Sequence, residues 1–207
     1  MIQRIVHAVL LFGLAAVIVS CGDKTKGKAP DASTDKKTGA SAASDAASSG
    51  GTEFTSKEGK FTVKYPEGFT MSSNSESTMP LETAVGKLDM KVNTAMKGAG
   101  EVMMTAYIDY PDKAFDAGIP VMLDGAQDGA MKNLGGTVEH REDITLDGNP
   151  GRSLTFSGKS SGTDVYGRVD YYIVKPRLYQ ILYLSDKKDG VSSDPVKAAF
   201  SSFKLNK

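Results

Sequence analysis

The sequence predicts an α+β domain, an antiparallel β-sheet with helices packed on its faces. After residue 53, most of the chain consists of short segments with period-two apolar alternation separated by turn residues, which is typical of antiparallel strands. Two other stretches have the three- and four-residue spacing of amphipathic helices. Because Cys21 is the chain's single cysteine, no intramolecular disulfide can form and packing must hold the fold together.

Strands are predicted first in residues 54–65, which alternate around Glu58-Gly59 as a hairpin. A turn at Pro66-Glu67-Gly68 follows, since proline removes a donor and glycine accepts a positive φ. The remaining predicted strands cover residues 78–85, 88–96, 101–110, 137–146, 152–157, 164–174 and 178–184. The last of these has apolar residues on both sides, which predicts a central strand covered on both faces.

Two helices are predicted. Residues 120–134 repeat apolar side chains at helical spacing, with Pro120 in the first turn and Gly135-Gly136 as the end. A closing helix is expected with Asp194 as its N-cap and Pro195 at its first position. Its buried stripe is expected to contain Val196, Ala199, Phe200 and Phe203.

The N-terminus has the features of a secretory signal. Arg4 precedes an apolar run from residue 5 to 19, which is too short to span a bilayer comfortably. The ending Ile18-Val19-Ser20-Cys21 resembles the lipobox of bacterial lipoproteins. This resemblance implies that a lipoprotein signal peptide, residues 1–20, is removed and that Cys21 carries a diacylglyceryl group. An uncleaved anchor or a buried helix is the alternative interpretation.

Residues 21–52 are predicted to be a disordered linker of Ser, Ala, Gly and Lys. From Gly22 to Gly51 the chain contains no large apolar residue, so it cannot bury enough surface to offset the entropy of ordering. The folded domain is therefore expected over residues 53–207. In enterobacterial lipoproteins an aspartate after the cysteine retains the protein at the inner membrane, so Gly22 favours the outer membrane, facing the periplasm. In a host with one membrane, the extracytoplasmic face is expected.

The stretch Phe61-Thr-Val-Lys-Tyr65-Pro66-Glu-Gly68-Phe69 resembles the opening of the PsbP-like superfamily, which includes bacterial lipoproteins of the DcrB type. The late strand pair and the ending Phe200-Ser-Ser-Phe203-Lys-Leu205 are similar to that family's end. The resemblance implies a PsbP-like α/β/α sandwich and a non-catalytic binding or assembly role. Lys175-Pro176-Arg177 departs from the Asn-Gly type of turn expected there, which predicts a longer or differently bent hairpin.

Catalytic and metal sites find little support in the sequence. After the predicted signal, His140 is the remaining histidine, and in a strand it shares a face with Glu142. One imidazole and one carboxylate fall short of a zinc or iron ligand set, so a solvated charged edge is expected, with no metal, cofactor or catalytic residue. Methionines in the first strands admit a Cu(I) site, although core packing explains them more simply. The balance of 25 basic and 25 acidic residues gives no nucleic-acid footprint.

A partner surface is predicted on the late strands. Tyr166, Arg168, Asp170 and Tyr172 should project from one strand face, with Arg152 nearby, as a polar aromatic surface of the kind that recognises proteins. A buried or half-buried ion pair between neighbouring strands is the open alternative. The sequence thus predicts an envelope lipoprotein bound to the bilayer through acylated Cys21, acting as a non-catalytic binding or assembly module for an envelope protein. The alternative function is a small-ligand or metal carrier in the periplasm.

Overall fold

The computed structural model describes residues 51–83, 85–160 and 162–207. Predictions for the signal peptide, for Cys21 and for linker residues 21–50 lie outside the described residues. The strands are β1 Thr52–Ser56, β2 Phe61–Tyr65, β3 Thr70–Met71, β4 Ser77–Thr83, β5 Gly86–Lys97, β6 Glu101–Asp109, β7 Thr137–Leu146, β8 Asn149–Ser160, β9 Thr163–Val174, β10 Arg177–Ser185 and β11 Lys204–Leu205. The helices are α1 Ile119–Leu134 and α2 Asp194–Ser201, with short 3-10 turns at Asp112–Phe115 and Lys188–Ser192.

The strands form two antiparallel sheets. The large sheet has eight strands in the order β3-β5-β6-β10-β9-β8-β7, with β4 also paired to β5. A smaller sheet has the order β1-β2-β11. Strand β10 lies between β6 and β9, and its residues from Leu178 to Ser185 are all buried. The prediction that residues 178–184 form a central strand covered on both faces is therefore confirmed.

Each face of the large sheet is covered by a helix. On one face, α1 buries Leu123, Ala126 and Ala130 against Leu154 and Tyr171 of the sheet. The other face is covered jointly by α2 and the small sheet, which share one apolar cluster. This cluster contains Phe61, Val63, Tyr107, Tyr179, Tyr183, Val196, Phe200 and Phe203, among others. The predicted antiparallel sheet with helices on its faces is confirmed, but the sequence did not predict that the first hairpin forms a separate sheet.

Helix α1 begins and ends near the predicted residues. Pro120 lies in its first turn, and Gly135 follows its end in the left-handed region at φ 54°. The N–H of Gly136 donates to the carbonyl of Met131 at 2.9 Å, as in the usual glycine termination of a helix. For α2 the N-cap prediction is wrong by one residue: Ser193 occupies the N-cap position and Asp194 begins the helix. Ser193 Oγ instead donates to the carbonyl of Gly190 at 2.8 Å.

Two hairpins differ from expectation. Strand β8 continues through Ser160, where it pairs with Thr163, so the predicted strand end at residue 157 is wrong. At Lys175-Pro176 the turn is tight, because Val174 pairs directly with Arg177 across a cis peptide bond. The hairpin there is differently bent and not longer.

Candidate functional site

A groove of about 730 Å³ opens between two segments that are distant in sequence. One wall is the turn after β2, with Pro66, Glu67, Gly68 and Phe69, and the other is the 3-10 turn before α2 together with the helix's first residues. Lys97 and Glu101, from the ends of β5 and β6, close the bottom. The groove is lined by Pro66, Glu67, Gly68, Phe69, Lys97, Glu101, Ser185, Lys187, Asp189, Gly190, Ser193, Pro195 and Val196.

The charged groups in the groove are held by the sheet. Lys97 and Glu101 face each other across the β5–β6 hairpin, with Lys97 Nζ 3.7 Å from Glu101 Oε1. The hydroxyl of Tyr183, on β10, donates to Glu101 Oε2 at 2.9 Å. Burial is the main cause that raises the pKa of Tyr183 to about 12, so its hydroxyl stays protonated as a donor at neutral pH. Glu101 is thus fixed from two sides.

The second wall approaches the sheet closely at Gly190. A side chain there would place its Cβ 2.6 Å from the Tyr183 hydroxyl, so only glycine lets the 3-10 turn pack this tightly. The turn is also held by backbone bonds, from Gly190 N–H to Lys187 and from Ser193 N–H to Gly190, both at 3.2 Å. The wall is therefore a bonded, well-packed segment.

A smaller cavity of about 320 Å³ adjoins the groove. It shares Pro66, Glu67 and Pro195 with the groove, and its other walls are mainly alanines of α2 and the chain around Tyr65. Gly51, the first described residue, also lines it. The N-terminal segment therefore enters the domain beside these two cavities.

The groove offers two kinds of contact. Pro66, Phe69, Pro195 and Val196 give apolar walls, while Lys187 and Asp189 lie exposed and, within the described residues, form no ion pair of their own. A ligand with an apolar body and a charged or polar group matches this arrangement.

Four of the five predicted partner residues lie on one face of β9, but that face is covered. The carboxylate of Asp170, with its side chain 3% exposed, accepts from Arg168 at 3.0 and 3.1 Å and from Ser153 Oγ at 2.6 Å. The Arg168 guanidinium lies 4.3 Å from the ring centre of Phe200 in α2. The ring of Tyr172 stacks on the ring of Phe203, with the two ring centroids 6.0 Å apart. Tyr166 is half-buried beside Lys188.

Arg152 lies on the opposite face of the sheet and is also buried, at 2% exposure. It pairs across the strands with Tyr171, whose ring packs under α1, and its Nη1 binds Asp124 of that helix at 2.5 Å. The five residues therefore do not form one exposed surface. Arg168 and Asp170 do form a largely buried ion pair, but they form it within β9 and not between neighbouring strands as the alternative interpretation has it.

The remaining sequence candidates are solvent-exposed or outside the described residues. His140 and Glu142 are exposed on β7, at the edge of the large sheet, as a solvated charged edge predicts. Among the described residues, no cluster of three His, Cys, Asp or Glu side chains is placed to hold a metal ion. Nor does the described part contain a helix with the length and hydropathy needed to cross a bilayer.

Sequence reasoning missed the groove. The pattern predicts the Pro66-Glu67-Gly68 turn and the start of α2, but no local signal shows that the two segments face each other. The 3-10 turn Lys188–Ser192 was not predicted at all. The close approach of Gly190 to Tyr183 marks the wall that the 3-10 turn forms, and this contact is visible only in the structure.

Solved structures of other proteins resemble this fold. The solution structure of cyanobacterial PsbP (CyanoP) from Synechocystis sp. PCC 6803 matches 80% of this chain and 98% of its own, with a TM-score of 0.52 and 12% identity. LpqN, involved in cell envelope biogenesis of Mycobacterium tuberculosis, covers 75% of this chain and 90% of its own, with a TM-score of 0.44 and 12% identity. No protein-family model and no curated protein matches the sequence. The likeness to the cyanobacterial protein establishes that this chain has a PsbP-like fold.

Proposed function

We propose that this protein is a membrane-anchored envelope lipoprotein that acts as a non-catalytic binding or assembly module. The observation that carries the binding role is the groove between the Pro66–Phe69 turn and the start of α2. Its volume of about 730 Å³ lies within the range of ligand sites. Its walls are fixed by hydrogen bonds and by the close approach at Gly190, so it is formed before a ligand arrives.

The anchor is supported by the sequence. A charged start, a short apolar run and Ile18-Val19-Ser20-Cys21 together form the pattern of a bacterial lipoprotein signal. Each buried acyl methylene contributes about 0.8 kcal/mol, and two or three chains fix a protein stably to a bilayer. An outer-membrane position facing the periplasm remains the preferred location because Gly22 follows the cysteine.

The non-catalytic role is supported by how the polar groups of the groove are used. Glu101 accepts from Tyr183 and pairs with Lys97. Ser193 donates to a backbone carbonyl, and Ser185 Oγ accepts from the N–H of Lys187 at 3.0 Å. These groups stabilise the walls, and none of them is arranged as a nucleophile with an adjacent base.

Small-ligand carriage is the second candidate, and one observation favours it. Among the described residues, Val121 is the sole exposed large hydrophobic side chain, and it lies on α1 away from the groove. Protein interfaces are centred on buried aromatic and apolar anchors, so the described surface favours a ligand that enters the groove over a partner that covers a flat apolar patch.

A groove-filling variant tests the binding role. Glu67 is exposed, lines both cavities and forms no ion pair within the described residues, so Glu67→Trp should fill the groove without disturbing the core. The matched control is Glu142→Trp, an exposed position on β7. The full chain, its Cys21→Ser form and both variants are used to capture proteins and small molecules from the protein's own envelope, which are identified by mass spectrometry.

We expect a protein or small molecule that is retained by the unaltered chain and by Glu142→Trp and is lost with Glu67→Trp. A small molecule would select the carrier role, and a protein the assembly role. Identical captured species for all forms would contradict a role for the groove. Loss of every species in Cys21→Ser alone would show that anchoring, and not the groove, selects them.

A further inference from the structure

The outer face of the small sheet and its hairpin turn carry lysines that form no ion pair with any residue the structure describes. By strand alternation Lys64 of β2 and Lys204 of β11 point away from the core, because Val63 and Phe203 beside them are buried. Lys57 and Lys60 lie in the hairpin turn that joins β1 to β2 at one end of this sheet. All four lysines are exposed. We call this surface, with the intervening Thr55, Thr62 and Asn206, the basic face.

The polar groups between the lysines form a hydrogen-bonded base. Thr55 Oγ1 and Thr62 Oγ1 lie 3.0 Å apart, and the side-chain amide of Asn206 bonds Thr62 Oγ1 at 3.1 and 3.2 Å. The N–H of Asn206 also donates to the carbonyl of Lys60 at 2.8 Å, which continues the β2–β11 pairing. The lysines therefore rise from a base whose own hydrogen bonds are satisfied.

The positive charge of the basic face is only partly offset by its neighbours. None of its four lysines forms an ion pair or a side-chain hydrogen bond within the described residues, whereas Lys87, Lys159 and Lys188 elsewhere pair with carboxylates. The acidic residues nearby are Glu53, which lies opposite Lys64 in the register, and Glu58 in the hairpin turn. Residues 51–207 contain 21 acidic and 19 basic side chains, so this positive face stands out on a slightly negative domain.

The position of the basic face points to its partner. Strand β1, which begins the small sheet, is also where the N-terminal segment enters the domain. Some thirty residues separate it from Cys21, so the proposed anchor and the basic face lie close to each other along the chain. We propose that the basic face docks on the anionic headgroups of the membrane to which the chain is anchored, which turns the domain so that α1 faces away. This inference rests on the proposed anchor.

Electrostatics supports such docking. An anionic leaflet attracts each nearby lysine strongly enough to raise surface partition roughly fivefold. Exposed charges are screened over about 10 Å at 0.1 M salt, so docking should weaken as salt rises. A tethered domain needs only this weak attraction, because the anchor already keeps it at high local concentration near the surface.

The test measures the orientation of the full chain on vesicles. The alkylated Cys21 does not react with thiol reagents, so one introduced cysteine carries the fluorophore. Thr55→Cys labels the basic face and Val121→Cys labels α1, on the other side of the large sheet. Energy transfer to an acceptor on the lipid headgroups is compared in phosphatidylcholine vesicles and in equimolar phosphatidylcholine and phosphatidylglycerol vesicles.

In anionic vesicles we expect greater transfer from Thr55→Cys than from Val121→Cys, and near equality in phosphatidylcholine or at high salt. The double substitution Lys60→Gln and Lys204→Gln should remove most of the difference in transfer, because each lost lysine lowers partition onto the anionic surface roughly fivefold. The control is the double substitution Lys113→Gln and Lys132→Gln, which changes exposed lysines near and on α1. This variant should keep the difference in transfer.

Equal transfer from both labels in anionic vesicles, or a difference that persists in phosphatidylcholine, would overturn the proposal. A difference that arises only on native membranes containing proteins would also overturn it and assign the basic face to a protein partner. Flotation of the chain with vesicles at high salt reports the anchor separately. A chain that fails to float there but shows lysine-dependent binding at low salt would refute the anchor and retain the docking face.

Discussion

Asp170 shows how this domain holds a charged side chain in its interior. The carboxylate is 3% exposed and receives hydrogen bonds from Arg168 and from Ser153. Removing one partner of a buried pair is costly because the other charge loses its compensation, whereas an exposed pair contributes little. The pair therefore fixes the packing of α2 on β9, through the contact of Arg168 with Phe200.

We expect Asp170→Ala to lower the free energy of unfolding by about 3 kcal/mol, measured by urea denaturation. Asp164→Ala is the control, since it breaks an ion pair with Lys159 in which both side chains are more than half exposed, and it should change stability little. Equal effects of the two substitutions would contradict the buried role of Asp170.

The raised pKa of Tyr183 predicts that the domain loses stability at alkaline pH. Burial raises its pKa from the ordinary value of 10.0 to about 12 in the folded protein. Because the folded pKa is the higher one, the tyrosine's contribution is fully present below about pH 10 and is lost as pH rises toward 12. The free energy of unfolding should fall over that window, by at most about 1.4 kcal/mol per pH unit for this group.

Urea denaturation at several pH values checks this decline, and Tyr183→Phe should make it shallower because the titrating hydroxyl is gone. Tyr110, whose pKa burial also raises to about 12, should still contribute in that variant. A stability that stays constant across the window would refute the assignment.

At the scale of elements, α2 and the strand after it close one side of the domain through aromatic packing. The ring centroid of Phe203 lies 5.2 Å from that of Phe61, 5.8 Å from that of Tyr179 and 6.0 Å from that of Tyr172. It thereby joins the small sheet to the large one. Burial of such a side chain contributes both its apolar area and the filling of the space between layers.

Phe203→Ala should therefore reduce the free energy of unfolding by about 3–5 kcal/mol, as measured by denaturant unfolding. Val121→Ala, at an exposed position of α1, is the matched control and should have little effect. A loss for Phe203→Ala as small as that of the control would show that the small sheet is not held by this cluster.

Periodicity predicted the elements well because it reports local burial. The α1 helix, its glycine end and the central β10 strand all follow from the spacing of apolar residues and from the turn residues beside them. The Asp147-Gly148 pair between β7 and β8 is itself a local turn signal, and both residues take positive φ values, 51° and 78°, as an Asp-Gly hairpin turn requires. The end of β8 was missed because its last residues, Gly158 to Ser160, have turn-like composition but are paired by β9.

At the scale of the whole molecule, the features that suggest function depend on contacts between distant segments. Alternation placed Tyr166, Arg168, Asp170 and Tyr172 on one face, but it does not show that α2 covers that face. The groove joins residues 66–69 to residues 185–196, and the basic face joins β2 to β11. Neither juxtaposition has a local signal, so only the PsbP-like resemblance pointed toward the arrangement of layers.

The proposed action of the domain at a membrane depends on lipidated Cys21, and the intact mass of the protein from its native membranes tests this most directly. The account predicts a chain that begins at Cys21 and carries two or three acyl chains, while Cys21→Ser yields an uncleaved, unlipidated chain. An unmodified chain that still contains residues 1–20 would contradict the claim.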